Sequence, residues 1–65
     1  MTGTLNLDAN IKDPDGFYEK LINAHQGLSD EESERFNARL ILILANHIGD
    51  RAVLDQALEV ARATT

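Results

Sequence analysis

The sequence predicts an all-α protein: three short helices, at about residues 14–26, 30–48 and 51–63, that follow an extended N-terminal arm and build an oligomeric helical bundle. Three observations carry that prediction. Helix-starting and helix-ending residues punctuate the chain at Asp13-Pro14, Gly27, Ser29, Gly49 and Asp50. The segment between Ser29 and Gly49 is apolar around most of its circumference. The chain has 65 residues and no cysteine, too little to close a large core by itself.

The first 12 residues read as an arm, and residues 13–65 as one helical domain. In the arm, Leu5, Leu7, Ala9 and Ile11 alternate with Asn6, Asp8 and Asn10, a strand-like period of two. A lone strand has no pairing edge within a helical chain. The arm is therefore expected to lie extended over apolar surface or be partly flexible. The sharper alternative is that it pairs with or wraps a second subunit.

Asp13 is expected to cap the first helix, with Pro14 at the first helical position, where its missing N–H costs nothing. Asp15 suits the positive end of the helix dipole. Phe17, Tyr18, Leu21, Ile22 and His25 share one apolar-aromatic stripe. Gly27 is placed for a left-handed cap, with Leu28 folding back against the helix. Ser29-Asp30-Glu31-Glu32 is a capping box, in which serine and glutamate each satisfy an amide near the other. Glu31 and Arg35 stand four apart in the order that favours an ion pair. Gly49 ends the second helix and Asp50 caps the third, whose buried face is expected to be Val53, Leu54, Ala57, Leu58 and Ala61. Asp55, Glu59 and Arg62 face water. The short connections predict consecutive helices folded back on one another.

The middle helix exceeds what its neighbours can cover. At roughly 100° per residue, Leu40, Ile43 and His47 lie within about 40° of Phe36. Leu44, Ile48, Ile41, Ala45, Ala38 and Leu42 then continue the apolar arc to roughly two-thirds of the circumference, where a surface helix needs a stripe of little over 100°. The flanking helices are short, and the third is rich in alanine. The surplus predicts an interface, with Phe36, Asn37, Arg39, Leu40, Ile41, Leu44 and Ile48 as its candidate residues. Asn37 lies within the arc. It could fix the register of an assembly, or reach water or a carbonyl near the helix start.

Function by binding follows from what else the chain carries. Small domains without disulfides complete their cores with a metal or a partner. His25 and His47 come from helices expected to meet, and Glu19 or Asp50 could join them. The ligand number is poor and no His-x-x-x-His spacing is present, so no metal and no cofactor are expected. Histidine titrates near pH 6 to 7, which makes His25 and His47, with Asn46, candidates for ligand binding or pH sensing. Ser29 is explained as a cap, no nucleophile turn or phosphate-binding glycine loop appears, and no catalytic residue is assigned. Arg35, Arg39 and Asn46 share one face around Leu42, either as partner-facing chemistry of the interface kind or as a solvated face paired with Glu31 and Glu32. The net charge of −5 disfavours nucleic acid and anionic membranes. The longest apolar run, Leu40 to Ala45, is too short for a bilayer, and the N-terminus lacks the character of a signal peptide. A cytoplasmic location is the expectation.

The runs Asp13-Pro14-Asp15-Gly16-Phe17-Tyr18-Glu19, Gly27-Leu28-Ser29-Asp30-Glu31-Glu32-Ser33, Asn37-Ala38-Arg39-Leu40 and Ala45-Asn46-His47-Ile48-Gly49-Asp50 resemble a family of short bacterial proteins of unknown function. The resemblance spans nearly all the chain after residue 10. It implies a proteobacterial setting and an accessory role beside a flavin-dependent oxidoreductase of aromatic breakdown. It also marks Asn37, Arg39, Asn46, His47 and Asp50 as positions to test, and it transfers no catalytic residue. Together these readings predict a helical interaction module that forms a homodimer or higher homo-oligomer and serves a metabolic enzyme. The alternative is a small-ligand binder with a site between subunits, built from His47, Asn46 and Arg39.

Overall fold

A computed structural model describes residues 3–65, leaving the first two positions of the expected arm outside the described residues. The chain is all-α, with α1 at Pro14–Ala24, α2 at Asp30–Ile48 and α3 at Arg51–Ala63. No strand occurs among the described residues.

Local chemistry explains each boundary. The Asp13 carboxylate accepts a hydrogen bond from the Gly16 amide at 3.2 Å, and Pro14 opens α1. Asp13 takes a left-handed backbone, φ 52°, which aspartate tolerates better than most residues and which avoids the right-handed region that a following proline disfavours. Gly16 is part of this cap. A Cβ there would collide with the Asp13 carboxylate, so the missing side chain is what lets the carboxylate close on the amide. At α2 the capping box forms as expected: Glu32 N donates to Ser29 Oγ at 3.2 Å, and Ser29 N donates to Glu32 Oε1 at 2.9 Å. Gly49, at φ 71°, ends α2 by donating to the Ala45 carbonyl at 2.9 Å. Asp50 then caps α3 through Ala52 N and Val53 N at 2.9 and 3.3 Å.

The first helix is shorter than the predicted 14–26. It stops at Ala24, with His25 as its C-cap. The chain tightens there, His25 N donating to Ile22 O and Gln26 N to Asn23 O, before Gly27 turns left-handed at φ 80°. His25 is turned inward by two contacts: its Nδ1 lies 3.2 Å from Ser33 Oγ, and its ring meets Phe36 edge-on at 4.7 Å between centroids. The left-handed Gly27 expected at the end of the helix is present, and the turn before it is tightened rather than α-helical.

Only one pair of helices folds back as expected. α2 and α3 touch, whereas no Cα of α1 comes within 8 Å of one in α2 or α3. The first helix is tied to the second through His25 and splays away from it. The arm, by contrast, is anchored. Gly3 N donates to Asp50 Oδ2 at 2.7 Å, Leu5 N donates to Gln56 Oε1 at 3.0 Å, and Gln56 Nε2 donates to Gly3 O at 3.1 Å. The Gln56 amide thus engages the arm as a neighbouring strand's backbone would. Residues 6–13 are exposed beyond that clamp.

The result is open. Its radius of gyration is 13.6 Å, against about 10.7 Å for a compact domain of this length. None of the described side chains is fully buried. The accessible surface of 6042 Å² at 7.2 kDa exceeds the compact-monomer scaling by roughly 1,900 Å². The extended arm supplies part of that excess, and unpartnered helix faces supply the rest.

Candidate functional site

The exposed apolar surface centres on the second half of α2. Ile41, Leu42, Ile43 and Leu44 are 65%, 69%, 64% and 48% exposed. Four consecutive residues at roughly 100° each point in every direction around a helix. α3 therefore leaves this turn open on several sides. Within the chain, the residues of α2 that find partial cover are Ser33, Phe36, Leu40 and Ala45. The first three lie toward the His25 joint.

Several faces expected to be buried are open. Along the stripe of α1 and its cap, Leu21 and His25 are half-buried, but Phe17, Tyr18 and Ile22 are exposed. On α3, Val53, Leu54 and Ala57 are half-buried while Leu58 and Ala61 are exposed. The physical reason is the same in both cases. Amphipathic periodicity identifies the apolar face but not whether a neighbour arrives to cover it, and the splay of α1 and the crossing of α2 with α3 leave these ends without one. Asp55, Glu59 and Arg62 face water as expected.

Between α2 and α3 runs an open apolar groove of about 510 Å³, walled by Ile41, Leu44, Ala45 and Ile48 on one side and Leu54, Ala57 and Leu58 on the other. Arg51 and Asp55 stand at its rim and pair at 2.9 Å. The hydrogen bond and the charge of Asp55 hold the Arg51 guanidinium above its ordinary range. Hollows of about 400 and 290 Å³ border the arm and the start of α1. Arg39, Asn46 and His47 line none of these three.

Of the residues read as candidates, Phe36 and Leu40 are half-buried near the His25 joint, and Ile41, Leu44 and Ile48 form a wall of the groove. Asn37 and Arg39 are exposed, as are Arg35, Asn46 and His47. The expected pairing of Arg35 or Arg39 with Glu31 and Glu32 is not made. Among the described residues the ion pair is Arg51–Asp55, and Glu32 is engaged by the Ser29 cap, whose backbone amide and hydroxyl hold its carboxyl below the usual value of 4.5. His25 and His47 are not brought together. His25 meets Phe36, and His47 lies eleven residues further along α2, roughly 16 Å at helical rise. Among the described residues no three histidine, aspartate or glutamate side chains gather as a metal would require.

Sequence reading missed Gln56 and Gly3. Glutamine in an amphipathic helix carries no signal of clamping a distant arm. Gly3 shows its role only in three dimensions, where a Cβ would stand 2.5 Å from Asp50 Oδ2 and 2.9 Å from Val53 Cγ2.

Among the described residues, no helix is long and apolar enough to cross a membrane. No curated protein and no solved structure matches the chain. Residues 5–63 match the model of a family described as "Protein of unknown function (DUF2783)". With nearly all of its length matched, from the end of the arm clamp to the last turn of α3, the chain belongs to that uncharacterised family.

Proposed function

We propose that this protein is a small helical interaction module that associates with its own copies through the second half of α2, forming an oligomeric bundle that assists a metabolic enzyme. One observation carries the reading: Ile41, Leu42, Ile43 and Leu44 are all exposed on consecutive positions of one helix. Isolated surface leucines are ordinary. A whole turn of large aliphatic side chains is not, and contiguous apolar surface of this kind marks an interface. The surface excess of roughly 1,900 Å² per chain is ample for a standard interface, which takes about 800 Å² from each partner.

The family resemblance supports an enzyme partner by analogy, with the protein acting beside a flavin-dependent oxidoreductase in a proteobacterial setting. Arg35 and Arg39, unpaired with their acidic neighbours and flanking Leu42, offer that enzyme a surface of interface character. A setting away from anionic membrane and nucleic acid, such as the cytoplasm, fits the net charge of −5.

Light scattering across a concentration series tests self-association. A dimer or larger species supports it. A folded monomer at every concentration sinks it and leaves the same surface to a different protein. Titration of purified oxidoreductase with the wild type and Arg39→Ala tests the second step, and equal binding of both would remove Arg39 from that contact.

A further inference from the structure

We infer that the groove between α2 and α3 is filled by α1 of a second copy, and that two chains exchange their first helices reciprocally. This rests on the self-association reading and specifies which surfaces meet.

Both halves of the contact are present and unpartnered in each chain. The donor is α1. Its exposed Phe17, Tyr18 and Ile22 span an arc of about 140° on a helix roughly 16 Å long. The acceptor is the groove, whose walls bring Ile41, Leu44 and Ile48 opposite Leu54 and Leu58. Helices pack when ridges of side chains enter such grooves, and a third helix laid there completes a three-helix bundle.

The chain's own α1 is held away from this seat. His25 fastens the end of α1 at Ser33 and Phe36, in the first half of α2, whereas the groove begins at Ile41 and ends at Ile48. From that joint α1 splays outward, with no Cα within 8 Å of either other helix. A second copy related by a two-fold axis carries the same splayed helix and the same groove, so one operation satisfies both chains. Charge is compatible with this pairing. The polar flank of α1 carries Glu19 and Lys20, and the groove rim carries Arg51 and Asp55. The surface excess of roughly 1,900 Å² per chain, part of it from the arm, is more than the roughly 800 Å² that a standard interface takes from each partner.

The absence of cysteine makes a clean crosslinking test available. One batch carries Tyr18→Cys and another Leu58→Cys, at positions 63% and 69% exposed, so neither substitution disturbs packing within the chain. The batches are mixed under mild oxidation, with Glu59→Cys replacing Leu58→Cys as the control. Helix exchange predicts that a mixed disulfide between the Tyr18→Cys and Leu58→Cys chains forms about tenfold or more faster than the control, because binding raises the effective thiol concentration. Dimers of the right mass that crosslink through Leu42→Cys to itself, and not between positions 18 and 58, would overturn the exchange and leave self-association standing. A monomer at all concentrations would overturn both. A disulfide formed within a single Tyr18→Cys/Leu58→Cys chain, without dimers, would show that α1 closes onto its own groove and would also end the proposal.

Discussion

An alanine scan of three neighbouring residues, Ile41, Leu42 and Ile43, measures how many sides of α2 are covered in the proposed assembly. At about 100° per residue the three side chains point in three directions. Leu42 is 69% exposed in the single chain. Leu→Ala removes three carbons worth about 0.8 kcal/mol each when fully buried, so covering the open two-thirds gives roughly 1.5 kcal/mol per chain. A symmetric pair loses the contact twice, roughly 3 kcal/mol, which weakens the dimer about 100-fold. Ile41 and Ile43, at 65% and 64% exposure, carry similar expectations if covered. Sedimentation equilibrium supplies the association constants, and circular dichroism supplies helicity at a concentration where the chain is monomeric. Alanine is the better helix former, so monomer helicity should not fall. The expected result is a large loss for at least two of the three variants, because a bundle covers α2 on more than one side, whereas a single flat interface reaches one direction only. Helix exchange requires Ile41 to be among them. Unchanged association for all three would refute the assignment of this turn to an interface.

Three further outcomes follow from the caps and the arm. The folded Glu32 carboxyl lies below its ordinary value of 4.5. The stability this adds is present above pH 4.5 and lost as the pH falls through the lower, folded value. Glu32→Gln keeps the box and removes that dependence, so thermal midpoints of the two proteins should change differently between neutral pH and about pH 3. Gln56→Ala removes two of the three hydrogen bonds that hold Gly3 and Leu5 and leaves the one to Asp50, a loss of about 1–2 kcal/mol in arm docking. The Leu5 amide should then exchange with solvent faster while the amides of α2 do not. Gly49→Ala forces a side chain into φ 71°, costing about 1 kcal/mol. Nothing but the Asn46 carbonyl at 3.7 Å stands near the new Cβ, so the loss should appear as a lowered thermal midpoint with an unchanged fold.

What was legible in the sequence is what short-range chemistry decides. Both ends of α2 and the start of α3 follow from Ser29, Glu32, Gly49 and Asp50, each acting on amides or carbonyls a few residues away. The apolar arc of α2 was likewise legible, because helical periodicity alone places its residues. Long-range outcomes were not. His25, the C-cap of α1, meets Phe36 eleven residues on. Leu58 and Tyr18 stay open because their helices have no neighbour on that side. The arm finds Gln56 and Asp50 roughly fifty residues away, and nothing in its alternating pattern names either residue.

This division has an energetic consequence. Caps contribute about 1 kcal/mol each, yet isolated helices shorter than about 12–15 residues are marginal in water. At 11 and 13 residues, α1 and α3 fall at or below that limit. α3 is supported on one side by α2 and on another by the arm through Asp50 and Gln56. α1 has neither. Its Asp13 cap and its His25 joint fix its ends, but Phe17, Tyr18 and Ile22 gain nothing from being helical until something apolar meets them. A helix so well started and so poorly supported within its own chain is the element that the proposed helix exchange would support. The open groove at the far end of α2 is the surface of matching character that a second copy brings.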